Sequence, residues 1–540
     1  MQQIHAFLID IHQRNIKPVS LEWNNLGIQS ITACDESLCK TYILPGFVDA
    51  HVHIESSLMV PSEFAKVAVR HGSVATVSDP HEIANVLGIE GINYMIKNAA
   101  TVPFHFFFGA PSCVPASIFE TNGATIDSND IKQLIARDDI WYLAEVMNYP
   151  GVIFRDSDLI AKIEHTQAHK KPVDGHAPGV RGNDLTKYAS AGITTDHECF
   201  TLDEALDKIA NGIKVQIREG SAACNFEALH SLISSHSHVT MLCSDDKHPD
   251  SLQDGHVNLL VKRALAKGHH LFDVLQTAIS NTINHYQLPV GMLRLGDAAD
   301  FIEIDNPEKF NILRTVIQGE TVFENNQSLI QTQKAPVINC FHHYQINEDD
   351  IKVKWNGEQS IDVIAAIDGQ LITMKEKHKP LVSNGFVESD IENDILKIVV
   401  INRYQKAKPA VGFIKNFGLK LGAIASTVAH DSHNLIAIGT NDVDLALIIN
   451  QVMQSAGGLA ALNKHENHVL SLPVAGLMSN EPAEKVTQQY IQLDQFVKQT
   501  LGSTLRAPFM SLSFMALLVI PHLKLSDLGL FDGSKFELIK

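Results

Sequence analysis

A chain of 540 residues is too long for one ordinary domain, and 45% hydrophobic against 19% charged residues allows a real core. The formal net charge of −18 argues against a nucleic-acid partner, which needs clustered Lys and Arg, and favours a small substrate of little charge. Seven cysteines with no Cys-x-x-Cys pair argue against a disulfide framework and fit a reducing cytoplasm.

The N-terminus has no basic segment or cleavage site of the signal-peptide type. Residues 1–43 are mixed, with strand character at Ala6–Ile11 and Ile16–Leu21. From about residue 42, short apolar runs end in polar, Gly or Pro clusters, and each is followed by a helical stretch. The predicted strands are Tyr42–Ile54, Ser73–Ser78, His105–Gly109, Trp141–Val146, Pro172–His176, Thr194–His197, Lys214–Arg218 and Val239–Ser244. In the first intervening helix Phe64, Val67, Ala68 and His71 recur at i, i+3, i+4 and i+7 behind Pro61. The last helical stretch, Asp254 to Asn281, reads as one long helix or two.

Strands at Phe301–Ile304, Ile312–Ile317 and Glu320–Phe323 follow, and with residues 1–43 they make a small β unit. Asn325–Lys334 reads as a linker. Beyond it come strands Leu396–Ile401 and Leu435–Thr440 and helices Asp442–Ser455 and Ala483–Leu501. The most apolar late stretch, Phe509 to Leu523, is about 15 residues and too short to span a membrane, so it reads as core.

The expected class is therefore α/β. A (β/α)8 TIM-like barrel covers residues 44–298, a β-sandwich-like domain 1–43 with 299–330, and a C-terminal α+β domain 336–540.

In such a barrel, polar residues at the C-terminal strand ends converge. His51-Val52-His53 ends the first strand, and residues i and i+2 of a strand point to one side, so the pair can chelate one ion. Glu145, His176 and His197 close the fourth, fifth and sixth strands, and Asp245 and Asp246 the eighth. Each alone has an ordinary explanation as an ion-pair partner, a core histidine or a helix cap. Together, four imidazoles and two carboxylates at the ends of one barrel suit a binuclear site for Mn, Fe or Zn. The metals would activate a water, and a nearby carboxylate, for which Asp245 is well placed, would shuttle its proton.

Asp79, His81 and Glu82 close the second strand, and Arg218 and Glu219 the seventh. They either hold substrate and orient the ligands, or form an ion-pair network at the rim. His430, Asp431 and His433 have metal-like spacing and read as an extra metal site, a cover over the active site, or a polar loop. His165, His169, His269 and His270 read as ordinary histidines.

The run Pro45-Gly46-Phe47-Val48-Asp49-Ala50-His51-Val52-His53-Ile54-Glu55-Ser56-Ser57 resembles the first-strand signature of the amidohydrolase superfamily, in the form found in the adenine deaminase family. Ser78–Glu82, Glu145–Gly151, Asp174–Gly179, Ile217–Ser221, Ser244–Asp246, Val428–Asn434 and Pro508–Phe514 resemble that family too, so the likeness runs from about residue 42 to the C-terminus.

The resemblance implies deamination of adenine to hypoxanthine and ammonia by a cytoplasmic homodimer. It implies two ions per subunit, Mn2+ with Fe2+ or Zn2+ as substitutes, on His51, His53, Glu145, His176, His197 and Asp245. Water would attack C6 of adenine, with Asp245, Glu145 and His81 in catalytic roles and Asp79, Glu82, Arg218 and Glu219 around the substrate. The rival is another binuclear amidohydrolase acting on a cyclic amide or a related aminopurine. The small zinc deaminases are excluded, because their Pro-Cys-x-x-Cys signature is absent. The segment before the barrel lacks the family's usual Gly-Arg-Ile strand signature, which implies a trimmed small β domain.

Overall fold

The computed structural model describes residues 1–539. Eight parallel strands form the barrel in chain order: Phe47–His53, Ser73–Ser78, His105–Ala110, Ile140–Val146, Val173–Gly175, Thr195–Asp196, Lys214–Arg218 and Thr240–Cys243. Helices cover the outer face, so both faces of the strands are buried. The side chains of Phe47–His53 and Ser73–Ser78 are buried throughout, which is why these strands read as apolar runs without alternation.

Closure falls to the two residues after the eighth strand. Asp245 and Asp246 pair in parallel with Val52 and His53. To get there the chain turns at Asp245, which sits at φ 55 in the left-handed region, uncommon for a residue with a Cβ. Asp49 fixes the turn by accepting the Ser244 N–H at 3.0 Å and the Ser244 hydroxyl. One bend thus closes the barrel and sets Asp245 against the first-strand histidines.

Two expectations need correction. The single strand expected over Tyr42–Ile54 is two strands in different sheets. Tyr42–Pro45 pairs with Phe301–Ile304 and Gln2–Asp10, and the barrel strand begins only after Gly46. A Cβ at Gly46 would run into Val74, so the crossing requires glycine. Both strands are buried, and an apolar run carries no mark of a change of sheet.

The stretch Asp254–Asn281, read as one long helix or two, is two: Val257–Ala266 and Leu271–Leu275, the latter continuing through one π-helical turn, Gln276–Ser280. The N-terminal segment is not trimmed. Gln2–Asp10, Asn15–Asn24, Gly27–Ala33 and Tyr42–Pro45 supply half of an eight-stranded sheet that Phe301–Ser328 completes. Strands holding Trp23 and Phe301 are three places apart, about 14 Å in a flat sheet. Their rings meet edge-on at 5.0 Å, so the sheet folds over on itself.

The C-terminal part is built on another eight-stranded sheet that includes Ile395–Ile401 and Leu435–Gly439. Alternation along Ile395–Ile401 divides its contacts. Val399 and Ile401 pack under helix Asp442–Gln454, and Ile398 and Val400 join the core continuous with the barrel. The Ser479 N–H donates to Leu58 O at 2.8 Å and the Ala483 N–H to Glu63 Oε2 at 2.8 Å. These bonds tie the C-terminal part to the barrel mouth next to the His51-x-His53 strand.

Candidate metal centre

The strand ends converge as the barrel requires. His51 and His53 turn Nε2 toward each other at 3.0 Å. Asp245 Oδ1 lies 3.5 Å from the first nitrogen and 3.3 Å from the second. Glu145 stands opposite. Its Oε1 is 3.4 Å from His53 Nε2, and its Oε2 is 3.1 Å from His197 Nε2 and 2.8 Å from His176 Nδ1. Glu145 is thus shared between the His51–His53 pair and the His176–His197 pair. All six residues are buried.

These contacts have the spacing of ligand atoms. Donors placed 2.0–2.2 Å from one ion lie about 3.0–3.5 Å from each other. The donor set is nitrogen and oxygen with no thiolate, which fits Mn, Fe or Zn.

The charges are consistent with ionised carboxylates. Burial works to raise the Glu145 carboxyl, yet the imidazoles of His176, His197 and His53 hold it well below the usual carboxylate range. Burial likewise opposes ionisation of Asp245, and the Arg218 charge with the rings of His51 and His53 overrides it. His176, despite burial, is pushed up to about 9 by Glu198 and Glu145.

Arg218 is committed to protein partners. Its guanidinium grips both oxygens of Glu198, one at 2.9 Å, and donates to Asp245 Oδ2 at 2.6 Å. With Oδ2 pinned, Oδ1 is the oxygen that faces the histidine pair. Behind the site, Asp49 accepts from the His51 N–H at 3.3 Å and from Ser244, and its Oδ2 lies 2.7 Å from His256 Nε2. One carboxylate therefore registers the strand of His51 against the turn of Asp245.

His81 bridges to a second buried group. Its Nδ1 is 3.2 Å from Asp79 Oδ2 and 3.5 Å from Glu145 Oε1, and its Nε2 is 3.5 Å from Glu82 Oε1 and 3.7 Å from Asp431 Oδ1. Glu82 in turn meets His430 Nδ1 at 2.7 Å and, on its other oxygen, His433 Nε2. Burial would raise Glu82, but His430, His433 and His81 hold it well below the usual range.

The spacing of Glu82, His430 and His433 also suits an ion. The Ala429 N–H, however, donates to His433 Nδ1 at 3.2 Å, so the neutral ring carries its proton on Nε2, toward Glu82. In this arrangement His433 Nε2 faces the Glu82 carboxylate.

The structure brings His51, His53, Asp79, His81, Glu82, Glu145, His176, His197, Arg218, Asp245, His430, Asp431 and His433 into one buried assembly. It does not bring Glu219, whose carboxylate turns outward to Arg263 at 2.8 Å. Glu198 and the Asp49–His256 pair were missed by sequence reading. Glu198 directly follows a strand-end histidine, and that position was a usable signal. Also missed was the cavity's apolar wall, Leu371, Phe514, Leu517 and Val519, which comes from the C-terminal part.

A profile described as "Amidohydrolase family" matches residues 42–322, and one described as "Adenine deaminase C-terminal domain" matches residues 370–537. A protein named adenine deaminase from Sulfurovum sp. (strain NBC37-1) is 51% identical over 533 residues, covering 98% of each chain. One of the same name from Salinibacter ruber is 48% identical over 533 residues, covering 98% of this chain and 97% of its own. Another from Borreliella burgdorferi is 49% identical over 545 residues, covering 99% and 98%.

Proposed function

The chain belongs to the adenine deaminase family of amidohydrolases, and from that premise we propose that it hydrolyses adenine to hypoxanthine and ammonia. The observation that carries the chemistry is the shared position of Glu145 between two histidine pairs, with Asp245 across from it. His51, His53, Glu145, His176, His197 and Asp245 would hold two divalent cations, manganese first, with iron or zinc as substitutes. Bound there, the ions supply Lewis acidity and make a water acidic enough to be a nucleophile at neutral pH.

The protein's own groups do the rest. Water adds to C6 and the C6–amino bond breaks. One water proton goes to the amino nitrogen, which leaves as ammonia, and the other to N1 of the product. Asp245 Oδ1 accepts the first of these protons, because Arg218 holds the other oxygen. His81, between Glu145 and the Glu82 network, keeps the carboxylates in place and offers a path for the second. Burial of the cluster keeps bulk water out and strengthens each of these contacts.

A homodimer in the cytoplasm, and the division of the chain at 1–43 with 299–330, 44–298 and 336–540, belong to the same proposal. Among the described residues no helix is long and apolar enough to cross a membrane. The test is the loss of ultraviolet absorbance as Mn-loaded protein converts adenine to hypoxanthine, with metal content measured on the same sample. Two equivalents of metal with turnover are expected. Metal-loaded protein that leaves adenine untouched and opens a cyclic amide instead would overturn the reading.

A further inference from the structure

Lys524 lies in the strand Leu523–Ser526 of the C-terminal part and is fully buried. Its Nζ donates to Leu371 O at 2.7 Å and to Phe514 O at 2.9 Å. Among the described residues no charged group supports it, and burial pushes its amine down to about 7. Both of these hydrogen bonds go to main-chain carbonyls. A lysine is costly in such a place, and a leucine or methionine would fill the same space without that cost.

The two carbonyls show what the cost provides. Leu371 and Phe514 are far apart in sequence, yet both line the cavity above the histidine cluster, beside Leu517 and Val519. Phe514 also stacks on His430, ring centroids 4.6 Å apart and planes 16° apart. The strand of Lys524 is anchored to the Leu371 segment nearby, where Thr373 Oγ1 donates to Leu523 O at 2.8 Å and the Thr373 N–H to Pro521 O at 3.1 Å. On the Phe514 side, Lys524 reaches into the short 3-10 turn Phe514–Ala516. The apolar wall is therefore made of two segments, and Lys524 Nζ bonds to both.

We propose that Lys524 is a positioning residue for the substrate, bracing Leu371 and Phe514 so that the apolar wall opposite the polar cluster clasps the face of a purine ring. The inference rests on adenine being the substrate. It assigns Lys524 to ground-state binding of the base and gives it no contact with the reacting atoms.

The test is Lys524→Met, which keeps an unbranched apolar stem one atom shorter and removes both donors. With Mn-loaded protein, KM for adenine rises about tenfold while kcat stays within about threefold and metal content is unchanged. A KM within about twofold of wild type, or a loss confined to kcat or to bound metal, overturns the proposal. Should methionine prevent folding, Lys524→Gln decides. Its side chain is one atom shorter and reaches one carbonyl at most, so a smaller rise in KM is expected and a wild-type KM overturns the proposal. Wild-type protein inert toward adenine would remove the family-based reading itself. Active wild type with silent variants removes only the role of Lys524.

Discussion

Replacing Arg218 by methionine would remove the cation between two buried carboxylates. Its guanidinium meets Glu198 at 2.9 Å and Asp245 at 2.6 Å, and all three side chains are almost wholly inaccessible. Removing one partner from a buried ion pair costs about 3–5 kcal/mol, because the charge left behind has neither water nor partner. At about 2–4 °C per kcal/mol for domains of barrel size, the melting temperature should fall by roughly 6–20 °C. The loss should be larger in metal-free protein, where no other cation faces the carboxylates.

Turnover of adenine should fall as well, since Asp245 Oδ2 is freed and the carboxyl rises without the Arg218 charge. The double variant Arg218→Met with Glu198→Met separates the two effects. Removing Glu198 as well takes away one of the two carboxylates left without a cation, so part of the melting temperature should return. Turnover should not return, because Asp245 is still unclamped. Thermal melts and the absorbance assay on the three proteins give the answer. A single variant that melts within about 2 °C of wild type, or a double variant that regains stability and turnover together, would refute the assignment of Arg218 as the clamp on Asp245.

Asp245→Asn keeps the shape and one oxygen toward the histidine pair but removes the basic site, so kcat should drop by about 10²–10⁴ with metal still bound; near-full activity would take Asp245 out of the proton path. Acid stability should depend on His285, whose ring burial pushes down to about 3, with the Lys214 amine at 2.9 Å adding to the effect. The unfolded ring takes a proton near 6.5 and the folded ring does not, so stability is full above that pH and is lost as the pH falls toward 3. Between pH 6.5 and 5 the loss is about 2 kcal/mol, and urea melts of His285→Gln should show a shallower decline; identical slopes would rule the residue out.

The site was legible where chemistry coincides with strand ends. His51, His53, Glu145, His176, His197 and Asp245 each close a barrel strand or follow one, and a barrel places such residues together whatever its loops do. Ser73–Ser78 and Lys214–Arg218 were legible to the residue, being short apolar runs with abrupt polar ends. The fifth and sixth strands are only three and two residues long, shorter than the runs that predict them, since the chain leaves the ladder to point its histidines inward. Glu219 was misplaced because a strand end does not say which way the next side chain turns, and here it turns out to Arg263.

The apolar wall was illegible for a different reason. Strand-end residues are brought together by the sheet's own hydrogen bonds, so their convergence follows from topology. Leu371 and Phe514 are brought together by Lys524, a residue that in sequence is one more lysine near the C-terminus. No periodicity marks it, because its partners are two main-chain carbonyls and not side chains. Phe509 to Leu523 reads as core for the same reason: an apolar stretch looks alike whether it packs against protein or closes a cavity. The histidine and carboxylate cluster thus sits on the part of the molecule that pattern can reach, and the proposed wall for the base on the part that only tertiary contacts define. It follows that changes at the barrel ends should act on kcat and metal retention, and changes around Lys524 on KM.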